Sequence, residues 1–355
     1  MFNDLKIIKK NYIIFFYITV SFIFTFYLLG IDNINPKTEN WLYKNDRASD
    51  FLVWKYFFND SWGFPLGSNK NFGLDLSNSL AYSGSPPLYA FFFKFIKIIL
   101  PNNFNFFSIL IFVSLFLQIY FGYLIIYKLT KNQIFSVVSS FLFIFSPIFL
   151  FKIKFHFSLI SHWIILSYFY VDLLNIKYRE KKIYFLIILL LSCLTHFYFT
   201  IMILLMIFIS RINLWYSNSN HFSFLKDSIY YTFPLLLLMY IVGYFVLPPL
   251  NVLGGGYGNL NLNLISFFNP YLDGLSWSNF IPIIYKANNE KFAYLGIGII
   301  FILIHLFFYL IFRYKHINFK ERKRFIFIFF IFFILAISNN IEFADKDLFL
   351  LELNK

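Results

Sequence analysis

Acidic side chains are scarce: 17 Asp and Glu stand against 30 Lys and Arg in 355 residues, and only 13% of residues are charged. Soluble domains carry roughly a quarter charged residues, so a water-exposed surface of ordinary size is excluded. Cysteine is nearly absent as well. Cys193 stands alone inside an apolar run, which rules out a disulfide framework and a cysteine-based metal site. No H-E-x-x-H or similar ligand spacing occurs, and no Ser-His-Asp set can be argued from the order of residues. "GGGYG" at 254–258 lacks the Lys-Ser/Thr continuation of a phosphate-binding loop and reads as flexible chain. "NDS" at 59–61 matches a glycosylation acceptor, a pattern short enough to arise by chance.

What is present is apolar: 59% hydrophobic and 25% aromatic residues, the composition of membrane-spanning helices. Phe, Ile, Tyr, Asn and Lys are abundant everywhere, so aromatic stripes are read as core or lipid-facing filler. The net charge of +13 does not point to nucleic acid, because the basic residues sit in short loops between apolar runs rather than on one exposed domain.

Apolar stretches long enough to cross a bilayer core of roughly 30 Å lie near 12–31, 106–127, 134–151, 157–176, 183–209, 228–247 and 293–312, with a shorter one near 325–338. The first follows Lys6, Lys9 and Lys10 and ends without a small-residue cleavage site, which predicts a retained signal anchor. Residues 88–100 are too short to span and carry Lys94 and Lys97, so they are expected to lie at the interface.

The Lys/Arg-rich loops should be cytoplasmic, and "KYREKK" at 177–182 and "RYKHINFKERKR" at 313–324 can both be so only if 183–209 is a hairpin broken near "THFYF" at 195–199. One helix of that length would reach about 40 Å, and a single tilted span is the competing arrangement. With the hairpin the chain crosses nine times. The inner segments then hold 17 of the 30 Lys and Arg in about 50 residues, the asymmetry that the positive-inside rule requires. The expected architecture is therefore all-α: one polytopic integral membrane helix bundle over residues 1–355, N-terminus cytoplasmic, with outer loops at 32–105 and 248–292 and short interfacial helices in the first.

In "DRASDFLVWKYFF", a helix over 46–58 would align Asp46, Asp50 and Trp54 on one face at the outer boundary. A partly desolvated carboxylate there is suited to take a proton from a hydroxyl; solvated loop acids are the plain alternative. His156, His162 and His196 fall on the same side from separate parts of the chain, although a single histidine on an apolar helix is more often a hydrogen-bonded core residue. Lys152 and Lys154 flank that boundary, within reach of a lipid phosphate or simply snorkelling. Asp172 and His305 lie within spans, Asp172 a turn from the inner end.

The order of these features resembles the GT-C superfamily of multi-pass glycosyltransferases and, more closely, an uncharacterised bacterial family of membrane glycosyltransferases. The matching stretches are "DRASDFLVWKYFF" at 46–58, "WGFPLG" at 62–67, "SPPLYAFFFK" at 85–94, "HFSLISHWIIL" at 156–166, "THFYFTIMIL" at 195–204 and "YGNLNLNLISFFNP" at 257–270. The resemblance implies transfer of a sugar from a polyprenyl-phosphate donor to an acceptor hydroxyl on a glycan or protein, at the outer face of the bacterial inner membrane. It implies Asp46 as the base, with His156 and His196 lining the site and Lys154 neutralising the departing phosphate. The residues do not decide whether a divalent metal takes part.

Two departures stand out. The related pattern has an acidic residue before its S-x-P-L element, where this chain has Gly84, so a second carboxylate role is either lost or taken by Asp50. The chain also stops at Lys355, where GT-C enzymes continue with further helices and often an outer C-terminal domain, which predicts a partial protein. A flippase or transporter of a lipid-linked saccharide is the main alternative, though no internal repeat is visible. A non-enzymatic envelope-assembly protein is the other.

Overall fold

The computed structural model describes residues 2–44, 46–72, 78–218, 221–246, 261–272, 275–286, 291–313 and 323–350. The chain divides into two compact units, residues 1–144 with 151–248, and residues 145–150 with 249–355. The sequence carries no visible boundary there, and the whole chain reads from it as one membrane domain.

In the first unit, α1 (Phe2–Leu29) and the one-turn α2 (Ile31–Ile34) lead into the first loop, which holds α3 (Asp46–Asn59) and α4 (Pro87–Phe95). Then follow α5 (Phe107–Thr130), α6 (Gln133–Ile144), α7 (Pro147–Phe155, whose residues from 151 on belong to this unit), α8 (Trp163–Leu173), α9 (Tyr178–Cys193), α10 (Phe197–Asn218) and α11 (His221–Val242). Among the described residues, three stretches are long and apolar enough to cross a membrane: Asn11–Leu29, Phe107–Thr130 and Phe224–Val242. Phe157–Leu173, Phe197–Arg211, Ile297–Phe312 and Arg324–Ile337 are shorter apolar helices.

The expected single span at 134–151 is instead two helices bent by 45°. Pro147 explains the bend, because it lacks the N–H that would continue the ladder and disfavours helical geometry in the residue before it. The expected span at 157–176 is also divided, into a turn of 3₁₀ helix at Phe157–Ile160 and α8. The hairpin at 183–209 does form. α9 stops at Cys193, three residues intervene, and α10 packs back on α9.

Helix contacts in this unit require small residues. α5 and α6 form a hairpin in which a Cβ on Gly122 would come within 2.4 Å of the Phe143 ring, so only glycine permits the approach. The Tyr17 hydroxyl shares a hydrogen bond of 3.0 Å with Ser140, joining α1 to α6.

The first loop is a packed cap. Trp54, Phe57, Phe58, Phe93, Phe104, Phe106 and Phe107 are buried together, and the Trp54 indole N–H donates to the Phe104 carbonyl at 3.0 Å. Asn69 donates to the Val53 carbonyl at 2.9 Å and Asn105 to that of Pro36 at 2.7 Å, so amide side chains satisfy turns that have no ladder of their own. The cap is tied to the end of α11 by backbone bonds from Leu66 to Ile241 (2.8 Å) and Gly67 to Val242 (3.1 Å), and to the α9–α10 turn by Leu88 N–H to the Leu194 carbonyl (2.7 Å).

The second unit contains α12 (Ile297–Arg313) and α13 (Lys323–Ile337). Beside the two-residue pairs β1 (Ser68–Asn69) with β2 (Asn78–Ser79) in the first unit and β3 (Tyr271–Leu272) with β4 (Leu275–Ser276) here, it has a longer antiparallel hairpin of β5 (Asn340–Phe343) and β6 (Lys346–Leu350). The all-α expectation is thus corrected to a mostly helical chain with short hairpins. Asn263 clamps the β5–β6 turn, donating to the Ala344 carbonyl at 2.7 Å and accepting from its N–H at 3.1 Å, and Asn261 donates to the Asn340 carbonyl. The "NLNL" stretch is therefore structural. His305 lies exposed on α12. "GGGYG" at 254–258, most of the second outer loop before 261, and nearly all of the basic run at 313–324 fall outside the described residues.

Candidate functional site

Asp46 is the first residue of α3, and its carbonyl accepts from the Ser49 hydroxyl at 2.9 Å. The side chain projects from the helix end and is 63% exposed, with Oδ2 3.6 Å from Nδ1 of His156. A carboxylate at a helix N-terminus is favourably placed with respect to the backbone dipoles. His156 is held in extended conformation between α7 and the 3₁₀ turn at 157–160, the break that brings its ring out of the apolar run.

His196 occupies the turn between α9 and α10 and caps α10: its Nδ1 accepts from the Tyr198 N–H at 3.1 Å. With Nδ1 engaged, the ring proton of the neutral imidazole belongs on Nε2. Burial, and secondly the nearby His156 imidazole, push the His196 pKa down to about 4, so the ring is neutral at pH 7 and able to donate from Nε2. His156 is thus brought beside Asp46 from 110 residues away, and its imidazole acts electrostatically on His196.

Asp50 lies one turn along α3 and differs sharply. It is 7% exposed, its Oδ1 accepts from the Gly84 N–H at 2.9 Å, and its backbone carbonyl accepts from the Ser85 hydroxyl. Burial pushes the Asp50 pKa up to about 7, the Gly84 N–H opposing and Asp46 adding to the rise. A Cβ on Gly84 would fall 2.2 Å from Oδ2 of Asp50. The carboxylate and a side chain at 84 are therefore mutually exclusive occupants of one space.

The expected alignment of Asp46, Asp50 and Trp54 is realised as a helix whose Asp50 and Trp54 are buried while Asp46 stays at the open end. The lysines are arranged differently. Lys154 is exposed, its ammonium 5.8 Å from the Phe155 ring centre. Lys152 acts electrostatically on His162, whose ring meets Phe199 edge-on at 5.8 Å, one turn beyond His196 on α10. Asp172 is buried, and its carbonyl accepts from Lys181 at 2.7 Å.

Sequence reasoning passed over Arg47. Its guanidinium lies 5.8 Å from the Trp41 ring centre, and Trp41 packs edge-on against Phe157, the residue after His156. Its Nε is buried without a hydrogen-bond partner, and burial lowers its pKa. A signal existed: Arg47 is the one arginine in residues 32–105 and adjoins Asp46. Among the described residues no three His, Cys, Asp or Glu side chains are grouped to hold a metal ion.

A second charged cluster sits at the far end of α9, roughly 20 Å from His196 by helix rise. Buried Asp227 of α11 accepts from Lys182, Arg211 and, at 2.8 Å, the Tyr178 hydroxyl.

No curated protein and no solved structure matches the chain. The site residues of the first unit and the hairpin of the second all fall inside the region that a family of proteins with a domain of unknown function, DUF6311, covers at residues 18–355, and the chain belongs to that family.

Proposed function

We propose that the chain is a multi-pass membrane glycosyltransferase of the GT-C type that moves a sugar from a polyprenyl-phosphate donor to an acceptor hydroxyl at the extracytoplasmic face of the bacterial inner membrane. The observation that carries this reading is the pairing of Asp46 with His156 at an accessible helix start, with His196 within electrostatic reach of His156. Two remote segments deliver an exposed carboxylate and an imidazole to the same spot, and a third brings a second imidazole within electrostatic reach of the first. Support for nine crossings comes from the long apolar helices, the bent pair and the shorter apolar helices, with α9 completing the number that the lysine and arginine distribution requires.

The chemistry follows from the groups. The acceptor oxygen attacks the anomeric carbon, the bond from that carbon to the phosphate oxygen breaks, and its electron pair leaves with the lipid phosphate. Asp46 takes the acceptor proton. His156 steadies the carboxylate from 3.6 Å, and neutral His196 donates a hydrogen bond to substrate hydroxyls. Asp50, fixed by Gly84, supplies the second carboxyl that the resemblance expects at position 84. Arg47 joins Lys154 as a cation for the phosphate, because a planar guanidinium can engage two phosphate oxygens at once. Lys152 and His162 line the deeper part.

The test is release of polyprenyl phosphate from labelled polyprenyl-phosphate hexoses by purified protein in liposomes, with cell-envelope glycan fractions as acceptors. Transfer should fall by about 10²-fold or more in Asp46→Ala. Undiminished transfer in that variant would sink the catalytic assignment. Movement of the labelled donor across the bilayer without transfer would favour the transporter reading.

A further inference from the structure

Away from these groups, the end of α3 and the segment following α4 enclose a cleft of about 460 Å³. Its floor is cationic. Lys94 is only 4% exposed, its ammonium lying 3.7 Å from the Phe57 ring centre and 4.6 Å from that of Trp62, and donating to the Ser61 carbonyl at a long 3.4 Å. Lys97 is half-buried beside it, 5.1 Å from the Phe58 ring centre. Burial pushes the Lys94 pKa down to about 8, Asp60 opposing and Lys97 contributing, so an anion in the cleft would stabilise both ammonium groups. Asp60 also lines the cleft, but its carboxylate is engaged by the backbone and side-chain amides of Asn71.

The rim is apolar to a degree that water does not tolerate. Phe95 is 82% and Ile98 96% exposed, with Phe92, Ile99 and Trp62 open beside them. Large exposed apolar groups alternating with lysines are the pattern of a segment lying in the headgroup region of a bilayer, chains below and phosphates alongside. A free phosphate would account for the floor and leave the rim unexplained. We infer that this cleft binds an anionic glycerophospholipid of the surrounding leaflet, the headgroup phosphate seated against Lys94 and Lys97 and the acyl chains running over Phe95, Ile98 and Ile99. The site is independent of sugar transfer.

Native mass spectrometry tests it, on full-length protein released from bilayers of equal phosphatidylglycerol and phosphatidylcholine. Wild type should retain phosphatidylglycerol preferentially. Lys97→Glu should lower that retention at least about fivefold, the factor expected for one lysine at an anionic surface. Ile98→Asp should do likewise, both variants keeping wild-type melting temperatures. Glycerol 3-phosphate, which has the phosphate without chains, should not displace the lipid at matched concentration. Equal retention of the two lipids, unchanged retention in both variants, or displacement by glycerol 3-phosphate would each overturn the inference.

Discussion

The two ends of the α9–α10 hairpin hold charged clusters of opposite character. At one end Asp227 is buried and saturated, its two carboxylate oxygens taken by an ammonium, a guanidinium and a phenol. At the turn end Asp46 stands open, with Nδ1 of the His156 ring 3.6 Å from its carboxylate. A carboxylate whose acceptor positions are filled holds helices together and can do little else. One that keeps acceptor capacity toward solvent contributes little to stability and can take a proton. The contrast separates a staple from a carboxylate free to act, as the proposed reaction needs.

The sharpest break in that comparison is Asp227→Ala. Removing the acceptor breaks the ion pairs that Lys182 and Arg211 make with it in a poorly hydrated position, which costs about 3–5 kcal/mol when a buried pair is broken. Unfolding in detergent should register a loss of that size, and a loss below about 1 kcal/mol would remove the staple from the account. Asp46→Asn is the mirror experiment: stability within about 0.5 kcal/mol of wild type, as for an exposed side chain, with transfer reduced by about 10²-fold or more. If Asp46→Asn were the more destabilising of the two, the assignment of roles would be reversed.

Much of this is legible in the amino-acid sequence itself. The hairpin break near 195–199 followed from where the positive loops had to lie, and the helix over 46–58 followed from its spacing of Asp46, Asp50 and Trp54. The bend at Pro147 was legible in principle, yet hydropathy over 134–151 outweighed it, because a window average does not register one missing N–H. The Asp227 cluster went unread for a different reason. Lys182 and Arg211 counted as loop charges, and nothing in sequence says that three helix ends converge. Arg47 was hidden by its neighbour: a carboxylate at a helix start draws the eye, while the burial of the next side chain depends on Trp41, fixed only by tertiary packing. The β5–β6 hairpin is short, and its partners Asn261 and Asn263 lie some 80 residues earlier.

Asp50 sits between the two extremes, buried like Asp227 but with one backbone donor. Its folded pKa is raised from 3.8 to about 7, so the folded protein holds this proton more tightly than the unfolded chain does. The stability that results is fully present below pH 4 and is lost as pH rises to about 7, a decline of about 2–4 kcal/mol across that window. Asp50→Asn keeps an acceptor for Gly84 and cannot ionise. Its stability relative to wild type should therefore improve steadily from pH 4 to pH 7. A difference that stays flat over that range would mean that Asp50 is not the buried, proton-holding carboxyl described above.

The smallest expected effect isolates the contact that distinguishes Asp50 from Asp46. Gly84→Ala places a methyl group 2.2 Å from Oδ2 of Asp50, and overpacking of that kind costs about 1–3 kcal/mol. In an Asp50→Ala background the space is vacant, so the same substitution should cost well under 1 kcal/mol, and the two changes should be strongly non-additive. The proposed transfer reaction extends the comparison, since Gly84→Ala would displace the Asp50 carboxyl and alter the pH profile of that reaction while leaving the Asp227 staple untouched. Additive losses in the double variant would mean that the carboxylate does not occupy the position 84 side-chain space, and Asp50 would then revert to a loop acid with no claim on the chemistry at Asp46.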